Sequence, residues 1–500
     1  MVPTILASSM AFIDSTALTV ILPSLQQSLH ATGADLFWVL NAYLLMLASL
    51  ILIGGSLGDR LGRKKIYMVG ILVFIIGSAA CGLSPSVNFL IACRLLQGVG
   101  GALMIPGSLS LISSLIDEKE RGKAIGTWSA ITTVVTLGGP ILGGALGDAG
   151  LWRYIFFINI PIGLAALLIL WRMVPESKDE DSPPGLDIFG ALSIALGLAA
   201  LTFGCLREPA LGLVHWQVAG SLIVGCGLLL TFVWIEKKSK YPMMPLNLFS
   251  NRTFTGTNLL SFFLYAGLAA AMLFLSLDLV QVQGYSQLQS GMTFLPFTLL
   301  MIGLSRFAGS LADRHGARWL LIAGPSVAGI GLLIISFVGQ TRGPSDYWTS
   351  FLPGVLVFGI GMSCTVAPLT TAVMNSVSDR HSGTASGVNN ATTRIANVFA
   401  NAIFGAVAVL LFTASLREQL TSTRFNTNVK TAVLAEAPNL GNAKTPAGAG
   451  PTDKALIEKM YHESFIDAYG KIMRVSAGLA FSGALMAFLF IEKGKGKKTE

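Results

Sequence analysis

The chain has 500 residues, of which 53% are hydrophobic and only 12% are charged. About a quarter of the residues in an ordinary soluble domain are charged, so this composition predicts a membrane protein. The formal net charge of +8 does not indicate a nucleic-acid-binding face, because the basic residues fall in short loops between apolar runs. The five cysteines lie inside those runs without CxxC spacing, which predicts small packing residues rather than metal ligands.

Apolar runs of spanning length follow one another along the chain, each close to the roughly 20 residues that a transmembrane helix needs. A first group of six covers residues 5–25, 37–58, 66–83, 87–116, 124–146 and 154–174. A pair follows a polar linker and covers residues 186–206 and 216–235. A last group of six covers residues 254–280, 288–312, 319–338, 351–374, 383–413 and 475–491. The sequence therefore predicts an all-α polytopic membrane protein with fourteen transmembrane helices.

This grouping predicts an N-terminal six-helix bundle at residues 1–175, an inserted helix pair with its linkers at 176–250, and a C-terminal six-helix bundle at 251–500. Met1 opens almost directly into the first run without a basic stretch, so we expect a retained helix rather than a cleavable signal. Residues 414–470 depart from the short loops and are expected to form an external loop. Its end, residues 455–469, has the apolar spacing of an amphipathic helix, and the loop is either a lid or a tolerated insertion.

The orientation follows from the distribution of lysine and arginine. Twenty of these residues lie in the loops and tail on one side, and the short loops opposite carry only three, Arg153, Arg207 and Arg342. By the positive-inside rule, the first side and both termini are predicted to lie in the cytoplasm. The even number of predicted helices agrees with this orientation.

Two short patterns recur in the second half of the chain. GSLGDRLG at residues 55–62 returns as GSLADRHG at 309–316, after the second helix of each six-helix group and at an offset of 254 residues. GKAIG at residues 122–126 returns as GTASG at 383–387, where the fifth helix opens, at an offset of 261 residues. The halves are therefore predicted to be structural copies, a plan in which secondary transporters place a cavity between the halves near the bilayer midplane.

The glycine-rich and basic segment GSLGDRLGRKK at residues 55–65 resembles the signature loop of the major facilitator superfamily. Glycines permit a tight turn and close approach of helices, while an acid and several bases can pair across neighbouring helix ends. The resemblance implies the major facilitator fold, with two six-helix bundles plus two additional helices. It also implies a role in conformational switching for Gly55, Asp59, Arg60, Gly62, Arg63, Asp313 and Arg314.

Within that superfamily the chain resembles the fourteen-helix drug:proton antiporters over essentially its whole length. FIDST at residues 12–16, LIACRLLQG at 90–98 and WRYIFFINIP at 152–161 are similar to motifs of that family. In helix five, Val135 stands where the family usually has another glycine. The remaining small residues and proline match the antiporter motif, which shapes a bend beside the cavity: Gly126, Gly139, Pro140, Gly143 and Gly144.

The resemblance implies a monomeric, proton-coupled exporter of small amphipathic or hydrophobic compounds in the inner membrane of a bacterium, working by alternating access without a cofactor or metal. Its implied partners are a small-molecule substrate, protons and the lipid bilayer. Uptake or exchange of a specific metabolite is the alternative. A polytopic receptor or enzyme is remote, because the sequence has no metal-ligand spacing, phosphate loop or nucleophile elbow.

Charged side chains at mid-membrane depth cost about 2.5–3.5 kcal/mol on insertion scales, so each is a functional candidate. Asp14, inside the first helix, is the candidate proton carrier, and its alternative role is a hydrogen bond to Ser15, Thr16 or a neighbouring helix. Arg94, in the fourth helix, either tunes that acid, as the resemblance implies, or serves as a structural partner for backbone carbonyls.

Polar and aromatic residues in the predicted helices supply candidate contacts for a substrate. Asp278 lies towards the outer end of its helix beside Gln281 and Gln283, where it either attracts cationic substrates or is solvated at the interface. The full set of candidates is Asn41, Tyr43, Gln97, Trp128, Phe262, Tyr265, Asp278, Asn389 and Asn390.

Overall fold

The computed structural model describes the backbone of residues 1–116, 118–178, 185, 187–242, 244, 246–377, 382–446 and 450–492. It describes the side chains of the same residues except 59, 109, 113, 118–123, 125, 126, 129, 130, 133, 137, 313, 315, 382–384, 386 and 451. Throughout these ranges the chain is built from α-helices joined by short connections, and no β-strand occurs in them.

The first seven helices precede the polar linker. They are α1 (Val2–Leu29), α2 (Gly33–Leu61), α3 (Arg63–Gly82), α4 (Val87–Leu115), α5 (Glu118–Asp148), α6 (Tyr154–Phe157) and α7 (Asn159–Met173). Two more helices follow the linker, α8 (Ile188–Leu211) and α9 (Trp216–Lys238). The remaining helices are α10 (Arg252–Gln281), α11 (Gln287–Thr293), α12 (Leu295–His315), α13 (Ala317–Ser336), α14 (Phe351–Asn375), α15 (Ser382–Thr421), α16 (Thr427–Ala435) and α17 (Pro451–Phe490).

Thirteen helical segments within the described ranges are long and apolar enough to cross a membrane. The fifth predicted span, residues 124–146, lies in α5, where the described apolar part is the shorter stretch Val134–Asp148. The prediction of an all-α polytopic membrane protein is confirmed. The count of fourteen transmembrane helices remains a prediction.

The repeated sequence pattern produces the same backbone twice. Gly62 separates α2 from α3 with φ 115°, and Gly316 separates α12 from α13 with φ 87°. Each glycine caps the start of the following helix. A positive φ favours glycine because a Cβ atom is strained there, so the last glycine of each copy allows the chain to turn directly from one helix into the next.

The inserted pair packs mainly on itself and joins the remaining helices through α8. Helix α8 contacts α2 and α15, whereas α9 packs against α8. The side chains of this contact form one apolar cluster, made of Leu45, Ala48, Ile194, Leu198, Phe232 and Val398. On α9, Ile223 and Leu230 are each 72% exposed, as expected for a helix that faces lipid. The division into units at 1–175, 176–250 and 251–500 remains a prediction.

The boundaries predicted around the external loop 414–470 are wrong. Helix α15 continues to Thr421, and α17 runs unbroken from Pro451 to Phe490, so the amphipathic stretch and the last span form a single helix. The apolar stripe of the stretch is buried against the protein through Ile457, Met460 and Phe465. Its polar residues lowered the local hydropathy enough to suggest a loop, although the helical spacing continues without a break.

Candidate functional site

Asp14 lies in a closed network with two residues of α4. Arg94 and Gln97 are three residues apart, so they project from the same face of that helix towards α1. The Arg94 guanidinium forms an ion pair with Asp14 through Nη1 and Oδ2, and Nη1 also donates to Gln97 Oε1 at 2.7 Å. Gln97 Nε2 donates to Asp14 Oδ1 at 2.9 Å. Both carboxylate oxygens are therefore engaged, and all three side chains are buried.

The Arg94 guanidinium has two further contacts. Nε donates to the Val39 carbonyl oxygen at 3.2 Å, and the Tyr43 ring centroid lies 4.5 Å from Cζ. The contact with the aromatic face adds a cation–π attraction. Arg94 thus contacts both the acid and a backbone carbonyl. Its role in tuning the acid remains a prediction.

The hydroxyl groups beside Asp14 bond elsewhere. Ser15 Oγ donates to the Phe12 carbonyl oxygen at 3.1 Å, and Thr16 Oγ1 donates to the same oxygen at 2.8 Å. Of the hydrogen bonds considered for Asp14, to Ser15, to Thr16 or to a neighbouring helix, this conformation therefore contains only those to α4. Two opposite charges without solvent are stable only as a well-bonded pair, so neutralising Asp14 would leave the charge of Arg94 buried without a counterion.

Asp278 occupies a different environment in α10. Its Oδ2 accepts a hydrogen bond from Gln283 Nε2 at 3.1 Å, and Gln283 also donates to the Gly339 carbonyl oxygen at 3.1 Å. Gln283 Oε1 accepts from the Thr341 backbone N–H at 2.8 Å. The expectation that Asp278 is solvated at the interface is wrong, because the connection between α13 and α14 covers it and the side chain is fully buried.

Just beyond the end of α10, Tyr285 shares this environment. Burial, with smaller contributions from the carboxylates of Asp346 and Asp278, raises the pKa of Tyr285 to about 12. The phenol therefore stays uncharged at physiological pH, so Tyr285 adds no charge beside Asp278.

The glycines of the antiporter motif bring α5 close to two other helices. A Cβ atom on Gly143 would lie 2.9 Å from the Ala17 Cα of α1, and one on Gly144 would lie 2.7 Å from the Gln287 carbonyl carbon of α11. Gly139 meets Thr16 of α1, and Pro140 meets Gly291 of α11. The motif thus permits close packing across the two predicted halves; Gly126 lies outside the described side chains.

At the end of α5, Asp148 caps a helix of the other half. Its two carboxylate oxygens accept from the backbone N–H groups of Gln287 at 2.7 Å and Leu288 at 3.0 Å, in the first turn of α11. The side chain of Gln287 donates to Ser24 of α1. A carboxylate at a helix N-terminus is favourable, so these contacts hold the halves together at the end predicted to be external.

The other candidate substrate contacts fall into two groups. Tyr43 and Gln97 are buried around Arg94, and Asn41 is also fully buried, with no hydrogen-bond partner for its amide among the described residues. Trp128, Phe262, Tyr265 and Asn389 are half-buried, and Asn390 is exposed. In this conformation the second group is the accessible one.

Two of the accessible candidates are held by neighbours that the sequence did not single out. Asn389 Nδ2 in α15 donates to Ser261 Oγ in α10 at 2.7 Å, and Trp128 Nε1 donates to Ser8 Oγ at 3.3 Å. Small hydroxyl residues are common in transmembrane helices and carry no signal by themselves. Their pairing depends on which helices meet.

Backbone N–H groups at the end of the signature loop donate hydrogen bonds to an acidic side chain that follows α7. Glu176 accepts from the N–H groups of Lys64 at 2.9 Å and Lys65 at 3.1 Å, at the start of α3. Gly55 lies near Pro106 of α4, and Arg314 in the second copy is exposed. Arg60 and Arg63 have further interactions of their own, whereas the side chains of Asp59 and Asp313 lie outside the described ones.

Three features together indicate a polytopic transporter built from two related halves. They are the many apolar spans, the duplicated loop that turns one helix directly into the next, and the buried ion pair. Within the described residues no group of three or more His, Cys, Asp or Glu side chains could hold a metal ion. Residues 4–401 match the family described as the Major Facilitator Superfamily. The chain belongs to that superfamily, as predicted, and is a transporter rather than an enzyme.

Curated relatives cover most of the chain. A multidrug resistance protein, Stp, of Mycobacterium tuberculosis is 35% identical over 422 residues, which span 82% of this chain and 76% of the relative. A tetracenomycin C resistance and export protein of Streptomyces glaucescens is 29% identical over 505 aligned positions, 99% and 92% of the two chains. A methylenomycin A resistance protein of Bacillus subtilis is 33% identical over 404 residues, 80% and 84% of the two chains.

Solved structures share the fold at lower identity. A bacterial homologue of the human lysosomal transporter Spinster, in an inward-facing and unoccupied conformation, has a TM-score of 0.68 at 19% identity and covers 97% of this chain and 96% of its own. An auto-inhibited peptide transporter of the POT family has a TM-score of 0.63 at 15% identity and covers 100% and 98% of the two chains. At these identities the likeness concerns the fold alone.

Proposed function

We propose that the protein exports small amphipathic or hydrophobic compounds across the inner membrane of a bacterium and that inward movement of protons drives this export. The resistance and export names of the relatives support the direction. The single observation that carries the coupling is the closed network of Asp14, Arg94 and Gln97, a buried acid that can exist in two charge states.

The proton and the position of Arg94 are linked in this proposal. When Asp14 is ionised it pairs with Arg94, and the two charges cancel in the low-dielectric interior. A proton arriving from outside neutralises the carboxylate, so the guanidinium loses its charged partner and shifts towards its remaining acceptors. Release of the proton to the cytoplasm restores the pair. The charge state of one residue thereby biases the packing of α1 against α4.

Alternating access then follows from contacts that can open and close. The cap formed by Asp148 on α11 and the glycine contacts of α5 close the predicted outer end in the described conformation, while the signature loop acts as the switch at the cytoplasmic end. The accessible residues Trp128, Phe262 and Asn389 are the proposed first contacts of the substrate. Both termini lie in the cytoplasm, and the protein works as a monomer.

The test is transport by Asp14→Asn in proteoliposomes with an imposed pH gradient. Asparagine keeps the size and a hydrogen-bonding group but cannot titrate, so we expect uphill export of a dye such as ethidium to be lost while downhill equilibration continues. Asp14→Glu retains a carboxyl group and should keep part of the coupled activity. Substrate-induced proton movement, followed with a pH-sensitive dye, reports the coupling directly.

Asp278→Asn is the matched control, because it removes the same charge from a buried aspartate of the other half. It should leave proton coupling unchanged. Fully coupled transport by Asp14→Asn would contradict the proposal, and loss of coupling in Asp278→Asn alone would move the proton site to α10.

A further inference from the structure

A groove of about 710 Å³ runs along the membrane-facing side of α3 and α7. On α3 it is lined by residues at helical spacing i, i+3, i+4 and i+7, namely Lys65, Met68, Val69 and Leu72. On α7 the wall is formed by Leu167, Leu168 and Trp171. Behind the groove the two helices pack on each other, so it is an open, shallow groove between two apolar stripes.

One end of the groove is positively charged. Lys64 and Lys65 stand at its mouth, in the first turn of α3. The carboxylate of Glu176, also at the mouth, is engaged by the backbone N–H groups of both lysines. Lys64 Nζ donates one hydrogen bond to the Trp171 carbonyl oxygen at 3.2 Å, and Lys65 Nζ has no partner among the described residues. Donors therefore remain on both ammonium groups.

The dimensions suit one leaflet of a bilayer. From Lys65 to Leu72 the helix rises by about 10 Å at 1.5 Å per residue, compared with roughly 15 Å for half of a hydrocarbon core. The positive-inside bias assigns the charged end to the cytoplasmic face, where the anionic lipids of a membrane attract basic residues. Trp171 is 65% exposed at the same level, as expected for an aromatic residue at the interface.

We propose that this groove binds an anionic phospholipid of the cytoplasmic leaflet. The phosphate lies between the ammonium groups of Lys64 and Lys65, and one acyl chain lies along Val69, Leu72 and Leu168. Charge complementarity selects the head group, and the apolar wall of the groove favours an amphiphile over a free anion. The two lysines end the signature segment at residues 55–65, so the bound lipid contacts the loop that joins α2 to α3.

The test uses the full chain in bilayer discs of phosphatidylcholine with increasing mole fractions of brominated phosphatidylglycerol. Bromine quenches nearby tryptophan, and the difference between the protein and Trp171→Phe isolates the emission of the residue in the groove. We expect quenching at low mole fractions of phosphatidylglycerol and much weaker quenching by brominated phosphatidylcholine. Equal quenching by the two lipids would overturn the proposal, and this comparison needs no folded lysine variant.

The double variant Lys64→Gln/Lys65→Gln removes both ammonium groups and should lower the exchange constant for phosphatidylglycerol over phosphatidylcholine by roughly 30-fold. Lys237→Gln/Lys238→Gln removes the same charge from the end of α9 and should leave the constant unchanged. Retained selectivity in the first variant would refute the site. Reversal of the quenching by inorganic phosphate would reassign the lysines to a free anion.

Discussion

The two halves of the protein each bury an aspartate, and the two residues are supported in different ways. Asp14 pairs with Arg94 and also accepts from Gln97, so both carboxylate oxygens are bonded. Asp278 accepts from Gln283 through Oδ2, while Oδ1 has no partner among the described residues. No basic side chain in the described ranges forms an ion pair with Asp278, although both aspartates are fully buried.

Asp14 is thus part of an ion pair, whereas Asp278 is held by a hydrogen bond to an uncharged side chain. Removing one member of a buried ion pair leaves the other charge without compensation. Removing a charge that has no counterion leaves no uncompensated charge behind. Burial alone therefore does not identify a coupling acid. The partner decides whether a change in protonation leaves another buried charge uncompensated.

The largest effect is expected for Arg94→Ala. The variant leaves the Asp14 carboxylate buried without its cation and should lower the free energy of unfolding by about 3–5 kcal/mol. Denaturation of the purified protein in mixed micelles measures the loss. The double variant Asp14→Asn/Arg94→Gln, which removes both charges, should recover a large part of it. Equal losses in the single and double variants would mean that the pair is not an energetic unit.

A smaller effect is expected for Gln283→Ala. This side chain joins Asp278 to the connection between α13 and α14, and its removal leaves buried polar groups unbonded at a cost of about 1–3 kcal/mol. Hydrogen exchange of the Thr341 amide, which donates to Gln283, should accelerate. Gln340→Ala removes an exposed glutamine of the same connection and serves as the control, with a change within about 0.5 kcal/mol. Unchanged exchange at Thr341 in Gln283→Ala would show that the connection is held elsewhere.

The smallest effect is expected for Asp278→Asn. Asparagine keeps an oxygen that can accept from Gln283 and removes a charge that has no counterion, so stability should change by less than about 1 kcal/mol. The same denaturation assay as for Arg94→Ala makes the two values comparable. A loss as large as that of Arg94→Ala would reveal a cationic partner for Asp278 and would end the contrast between the halves.

Much of the architecture could be predicted from local properties of the chain. Spanning length and hydropathy are sums over neighbouring residues, and the backbone at Gly62 and Gly316 depends on a glycine that tolerates positive φ at a helix junction. The same locality explains the error at residues 414–470. Polar residues lower the hydropathy of a stretch whether it is a loop or one face of a helix. The helical spacing of residues 455–469 is visible in the sequence, but the burial of Ile457 and Phe465 against other helices is not.

The sites required the tertiary structure. Asp14 and Arg94 were both candidates because charges are rare in apolar helices, but they are 80 residues apart, and no local pattern states that α1 meets α4. The same holds for Asp148, which caps a helix 139 residues further along the chain. The sequence around a single acidic residue is the same whether a cation, a glutamine or solvent lies beside its side chain in the folded protein. Its surroundings are set by which helices pack together, and that packing minimises a free energy summed over the whole molecule rather than over any one segment.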